Sequence, residues 1–375
     1  MKIYSTQNVF DAALTRIRWL YDEFPNIVCN VSGGKDSTVL FHLCLQVASE
    51  KGRLPLRVMW LDQEAEWQAT VDMVRSMMYH PDVEPLWFQM PFRLFNATSS
   101  EEHWLHCWDP DRSADWVHPQ DPVSMKVNRY GTDRFHKLFA AISATEFPDT
   151  PTCYLAGVRT EESPVRMMAL THDPTYKWAT WGTVLQKRLA HYTMYPLYDW
   201  SYLDIWKAIG DHQWPYCRIY DAMYQYGVPV NKMRVSNVHH ETAVHSLFFM
   251  QEVEPETYNR LTARISGIDS AVKFGDADYF VSDLPFMFAT WREYRDYLVA
   301  HLIQNEDWRR SFQRRFDRFD RVFGDSLGTK MYRQQVHAIL VNDWEGITLN
   351  NFFHGPEQWD VRLKRRRRTA DTHAG

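Results

Sequence analysis

Short apolar runs and segments of helical period alternate through the first half of the chain. Ile27-Val28-Cys29-Asn30-Val31 is short and largely apolar, as a strand buried on both faces is. Just beyond residues 32–37, Val39, Leu40, Leu43 and Val47 fall on one helical face. Upstream, Val9, Ala13, Ile17, Leu20 and Phe24 recur at the same period, with Ser5 or Thr6 placed to cap that helix. Residues 56–61 read as a second strand ending at Asp62, and Val71, Met73 and Val74 with Met77 and Met78 as a helix. Residues 86–90 read as a third strand between Pro85 and Pro91. This alternation predicts a parallel sheet with right-handed crossovers. Ligands of such sheets sit at the carboxyl ends of the strands, where residues 32–37 and Asp62 fall.

Residues 96–130 break the pattern. They are rich in Trp, His, Asp and Pro and have no period, like an insertion that covers an active site or forms a contact. Regular structure resumes at 135–142, followed by strands at 153–158 and 192–195 and a helix at 201–209 capped by Ser201. From about residue 240 the pattern is mostly helical through Phe353, and no internal repeat occurs. The expected fold class is α/β, a doubly wound, mostly parallel sheet with a helical C-terminal region. The expected division is a sheet domain over 1–235, a mostly helical region over 236–355 and a basic, disordered tail over 356–375.

Aromatic residues make up 15% of the 375, which argues for a packed fold. A net charge of −5 gives no chain-wide signal for nucleic acid. The five cysteines, Cys29, Cys44, Cys107, Cys153 and Cys217, are far apart and form no Cys-x-x-Cys. That argues against a disulfide framework, a zinc ribbon or an iron–sulfur cluster and fits a reduced cytoplasm. The N-terminus lacks a signal-peptide pattern, and no apolar run approaches the ~20 residues that span a membrane.

The chemistry is concentrated in Ser32-Gly33-Gly34-Lys35-Asp36-Ser37, between the first strand and its helix. Two glycines let the backbone wrap an oxyanion, the helix start offers free N–H groups, and Lys35 adds a point charge. A Walker A loop would need Ser or Thr where Asp36 stands. A second stretch, Gly157-Val158-Arg159-Thr160-Glu161-Glu162-Ser163-Pro164-Val165-Arg166, follows a strand. Gly157 allows close approach, Arg159 and Arg166 suit bidentate contact with phosphate or sulfate, and Glu161 or Glu162 can hold an arginine.

Ser-Gly-Gly-Lys-Asp-Ser resembles the PP-loop of the ATP pyrophosphatase superfamily. Gly-Val-Arg-x-x-Glu-Ser-x-x-Arg about 120 residues later resembles the phosphoadenosine phosphosulfate (PAPS) reductase family, as does Tyr195-Pro196-Leu197-Tyr198-Asp199-Trp200 running into Asp204-Ile205-Trp206. The stretch from Pro215 to Pro229, with Tyr220 and Tyr226, is similar to the element that follows. This likeness covers roughly residues 8–235. The whole chain is most similar to the group with a helical C-terminal extension that includes immunoglobulin-binding regulator A, whose members are often encoded beside a ParB-like protein. The resemblance thus implies an adenine-nucleotide site, a ParB-like partner and a doubly wound fold. It departs at one point: the reductases attack with a cysteine in Glu-Cys-Gly-x-His, and here no cysteine follows Cys217.

Other clusters carry less. His240 and His245 in His239-His240-Glu241-Thr242-Ala243-Val244-His245 are five apart, not the four that share a helix face. His103, His106 and Cys107 have no evident fourth ligand, and Trp104 or Trp108 either packs or stacks on a substrate. The basic run 362–368, with Arg309, Arg310, Arg314, Arg315, Arg318 and Arg321 upstream, reads either as a nucleic-acid contact or as a solvated end. The upstream arginines interleave with Trp308, Phe312, Phe316 and Phe319, as in a helix with a buried aromatic face.

The resemblance and the residues together imply an ATP-using enzyme that cleaves the α–β bond and activates an acceptor, in sulfur or nucleic-acid modification. A nucleotide-sensing regulatory subunit is the alternative. Ser32, Gly33, Gly34, Lys35, Asp36 and Ser37 would hold phosphates of ATP or a PAPS-like nucleotide, with Lys35 and Arg159 catalytic. Asp36 would hold Mg²⁺, Asp62 would sit at the nucleotide's edge, and Gly157, Arg159 and Arg166 would clamp the α-phosphate or acceptor.

Overall fold

The central apolar run forms β1 (Asn26–Asn30), with Asn26, Ile27, Val28 and Cys29 all buried. In the computed structural model, residues 6–96, 99, 102, 104–162, 164–230, 233–235, 247–267 and 283–354 are described. Strand β1 lies between β2 (Leu56–Leu61) and β6 (Thr152–Leu155), parallel to both. The six-stranded sheet has the order β3-β2-β1-β6-β8-β7, from β3 (Val83–Phe88) to β7 (Gly182–Gln186). Only β7 runs antiparallel, against β8 (His191–Met194). A separate two-stranded sheet joins β4 (Phe92–Phe95) and β5 (Trp104–Cys107). The chain builds outward from β1 to β2 and β3, then returns to β6 on the other side. That reversal puts a topological switch point at the carboxyl ends of β1 and β6.

Helices cover the sheet. In α1 (Val9–Glu23), Ala13, Leu14, Ile17, Leu20 and Tyr21 are buried, and Asn8 caps it, not Ser5 or Thr6. In α2 (Lys35–Glu50), ten of sixteen residues are buried. Thr70, Val71, Met73, Val74, Met77 and Met78 are buried in α3 (Gln68–Met78). The remaining helices of this part are α4 (Phe135–Glu146), α5 (Pro164–Thr171), α6 (Tyr202–His212) and α7 (Ile219–Gln225). Ser201 caps α6 in a capping box with Asp204.

Three expectations shift. Pro85 lies inside β3, opposite Val58. An edge strand tolerates a residue that cannot donate to the ladder. Strand β6 ends at Leu155, so residues 156–159 are loop. Helix α5 and strand β7 had no counterpart in the sequence pattern.

Two compact units result. Among the described residues, one draws on 6–94, 106–235 and 249–260, and the other on 95–105, 247–248 and 261–354. The boundary expected at 235 falls within this interleaving. Further along are α8 (Leu247–Val253), α9 (Pro255–Arg264), α10 (Trp291–His301), α11 (Glu306–Leu340, kinked at Gly328) and α12 (Ile347–His354). In the second unit Phe312, Phe316, Phe319 and Phe323 form a buried stripe on α11, while Arg310, Arg314, Arg318 and Arg321 are exposed. Arg309 and Arg315 instead donate to the carbonyls of Ile303 and Trp344. The basic run 362–368 and the histidines at 239, 240 and 245 lie outside the described residues. No described helix is long and apolar enough to cross a membrane.

Candidate functional site

The loop between β1 and α2 is shaped by two glycines. Gly33 has φ +69°, and a Cβ there would come within 2.7 Å of Thr70 Cγ2. Gly34 caps α2 without a side chain, leaving the helix start open to an anion. The hydroxyl of Ser37 donates to the Gly34 carbonyl at 2.9 Å and accepts the Ser32 N–H at 3.1 Å. The Lys35 N–H donates to the Tyr220 hydroxyl at 3.2 Å.

A second loop, beyond β6, packs directly on the first. A Cβ at Gly157 would sit 2.9 Å from the carbonyl carbon of Asp36 and 3.0 Å from the Ser37 nitrogen. Both are backbone atoms that cannot turn aside. Gly157→Ala is therefore expected to push the loops apart and cost about 1–3 kcal/mol of stability. Thermal unfolding and nucleotide binding measured on the same variant check this, and loss of neither would show the contact to be slack.

Ion pairs tie the loops together. Arg159, 4% exposed, bonds Asp36 through Nε, reaches Glu161 at 3.0 Å and approaches Glu162 at 3.8 Å. Arg166 pairs with Glu162. Lys35 Nζ lies 3.2 Å from Asp36 Oδ2 and 5.2 Å from the centre of the Tyr220 ring. The two arginines expected to clamp phosphate or sulfate thus rest on carboxylates, Glu161 and Glu162 among them, as the sequence suggested. Burial, then the nearby Arg234, lowers the pKa of Arg166. Like charges pressed together mark a place suited to an anion.

These groups face a cleft of about 600 Å³, within the range of small-ligand sites. Ser32, Gly34, Lys35, Asp36 and Ser37 line one side, and Gly157, Arg159 and Arg166 another. Gly33 turns the loop from behind. Tyr220, Arg234, Gln63 and Glu66 also line the cleft. Sequence reasoning named Tyr220 only within a family element and missed the other three.

Asp62 is not at the cleft. It is fully buried and accepts from the Glu64 N–H at 2.9 Å, Trp87 Nε1 at 3.0 Å and Gln89 Nε2 at 2.8 Å. Three donors make it a structural hub. Residues of the irregular insertion close over it. Trp108 donates through Nε1 to the Asp62 carbonyl and through its backbone to Glu64, and His118 Nε2 lies 3.3 Å from Asp62. Burial alone would lower the His118 pKa, but the Asp62 carboxylate outweighs it and the pKa rises. No described residue of 96–130 lines the cleft.

Asp36, expected to hold Mg²⁺, already neutralises Lys35 and Arg159 with its two oxygens. Among the described residues no three His, Cys, Asp or Glu side chains gather as metal ligands. This carboxylate does not fit a metal-ligand role as it stands, and no step below runs through a metal. All five cysteines are buried, and none lines the cleft. Burial raises the Cys44 and Cys153 thiols well above the ordinary range and Cys217 to about 11. Such thiols are poor nucleophiles.

Residues 26–226 match the sequence profile of the phosphoadenosine phosphosulfate reductase domain, and residues 227–351 that of a domain of unknown function (DUF3440). The chain is 29% identical over 308 residues to the uncharacterized protein YbdN of Escherichia coli K12, spanning 78% of this chain and 75% of that one. Among solved structures it is similar to PAPS reductase from Candida auris in a phosphate complex. That match has a TM-score of 0.33 and 16% identity, covering 59% of this chain and 94% of the other. It is also similar to Candida glabrata FMN adenylyltransferase in complex with FMN and an ATP analog. There the TM-score is 0.36 and the identity 14%, covering 59% and 64%.

Proposed function

The chain belongs to the phosphoadenosine phosphosulfate reductase domain family, and from that premise we propose that it takes ATP as substrate and cleaves it between the α and β phosphates. One observation carries this reading. The glycine-turned start of α2, Lys35, Arg166 and Arg234 converge on a single cleft at the switch point of the sheet. That is where a polyphosphate belongs.

In this reading the residues from Ser32 to Ser37 hold the β and γ phosphates. Lys35 meets the charge that builds on the departing pyrophosphate. Arg166 and Arg234 take the α-phosphate or the acceptor. Arg159 acts through Asp36, fixing the loop. The acceptor's nucleophile bonds to the α-phosphorus, the bond to the bridging oxygen breaks, and its electron pair leaves with pyrophosphate. Positioning and electrostatics supply the acceleration. The buried cysteines argue against thiol-based reduction.

The test uses ATP labelled on the α-phosphate, offered with sulfate, DNA or RNA as acceptor. Pyrophosphate released in step with labelled AMP or an AMP adduct supports the proposal, and the adduct identifies the acceptor. Tight ATP binding with no pyrophosphate would make the chain a nucleotide-sensing subunit, for which a ParB-like protein is the partner to try. Sulfite released from PAPS with a thiol reductant would restore a reductase.

A further inference from the structure

The cations of the cleft are Lys35 at the start of α2, Arg159 in the loop after β6, Arg166 on α5 and Arg234, with the carboxylates of Asp36, Glu161 and Glu162 among them. The end of β2 and the loop after it contribute Met59, Trp60, Leu61, Gln63 and Glu66, none of them basic. Glu66 is the unusual member. It is 2% exposed, and its Oε2 has no hydrogen-bond partner. A buried carboxyl oxygen with nothing to bond is rare in a folded protein. Here it belongs to a side chain on the wall of the cleft that the loop chemistry assigns to a nucleotide.

We propose that Glu66 reads the base of the bound nucleotide, its carboxyl donating to N1 of adenine and accepting from the N6 amino group. The assignment rests on the nucleotide reading of the cleft. Burial, followed by the neighbouring Asp62 carboxylate, pushes the Glu66 pKa well above the usual carboxylate range. A carboxyl biased in this way toward its protonated form offers one donor beside one acceptor. Adenine presents the complementary pair on one edge. A neutral acid also needs no ion-pair partner, and among the described residues no salt bridge reaches Glu66. The triphosphate avoids this side, where it would find no positive charge, and a flat uncharged ring fits it.

Calorimetry with ATP, purine riboside triphosphate (which lacks the N6 amino group) and inorganic tripolyphosphate tests the assignment. On the unaltered protein ATP should bind about tenfold more tightly than purine riboside triphosphate, the scale of one hydrogen bond to a buried partner. Equal affinities would overturn the proposal without any variant. In Glu66→Leu the ratio should fall to near one while tripolyphosphate affinity stays the same. In Glu66→Gln, whose amide also offers a donor and an acceptor, the preference should persist. A ratio unchanged by Glu66→Leu would remove Glu66 from base reading and leave the nucleotide reading standing. Failure of the unaltered protein to bind ATP and tripolyphosphate alike would overturn both.

Discussion

Lys35→Ala is expected to lower pyrophosphate release from ATP by about 10²–10³-fold, the scale seen when one donor to developing negative charge is removed. Lys35 stands at the first position of α2, with its side chain 8% exposed and its ammonium 3.2 Å from Asp36. It holds no core layer together, and Asp36 keeps Arg159 when Lys35 is gone. The loss should therefore fall mainly on turnover, with a much smaller shift in thermal unfolding than for a substitution at Arg159. Steady-state pyrophosphate release and a melting curve on the same preparation decide it. Turnover within a few-fold of the unaltered protein would remove Lys35 from the chemistry and weaken the case for the loop as the polyphosphate site.

Arg159→Ala is expected to cost about 3–5 kcal/mol of stability, as when one partner of a buried ion pair is deleted. Arg159 is buried, and its guanidinium serves both Asp36 and Glu161. Without it, Asp36 keeps only Lys35, and Glu161 keeps the Tyr202 N–H at 2.7 Å. Adding Asp36→Ala to Arg159→Ala should recover part of the loss, because the stranded carboxylate goes too. A coupling of about 0.5–3 kcal/mol is the expected range for residues in one network. Urea unfolding of both single variants and the double completes the cycle. Simple additivity would mean that the two loops are not held together by this pair.

Much of the fold was legible because its strands are buried on both faces. Residues 27–31 could be read as a strand from apolar content alone, and the helix after it from its period. Strand β7 escaped because it is an edge: Thr183 and Val184 are exposed, so no apolar run marks it. The third strand was placed late because Pro85 reads as a breaker, and only its position at the sheet edge makes it harmless. At the site, residues 32–37 and Arg159 were visible as local patterns. Arg234 was not, because it reaches the cleft only through the packing of a distant segment. Glu66 lies in Gln63-Glu64-Ala65-Glu66, which looks like a solvated loop, yet Glu64 and Glu66 are both buried. Asp62 illustrates the opposite case. Its place at a strand end was evident, but the direction of its side chain depends on Trp87 and Gln89, a strand away.

Because Arg159 and Arg166 already rest on Asp36, Glu161 and Glu162, any anion entering the cleft must compete with carboxylates that are tethered in place. A tethered competitor is present at high effective concentration whatever the solution contains. A monovalent ion such as chloride has too little charge to displace it. A polyphosphate brings several charges on one backbone and can draw Arg166 from Glu162 while Arg159 stays on Asp36. The internal pairs therefore act as a threshold on ligand valence. In a solution crowded with small anions, they would keep the cleft free for a ligand of high charge.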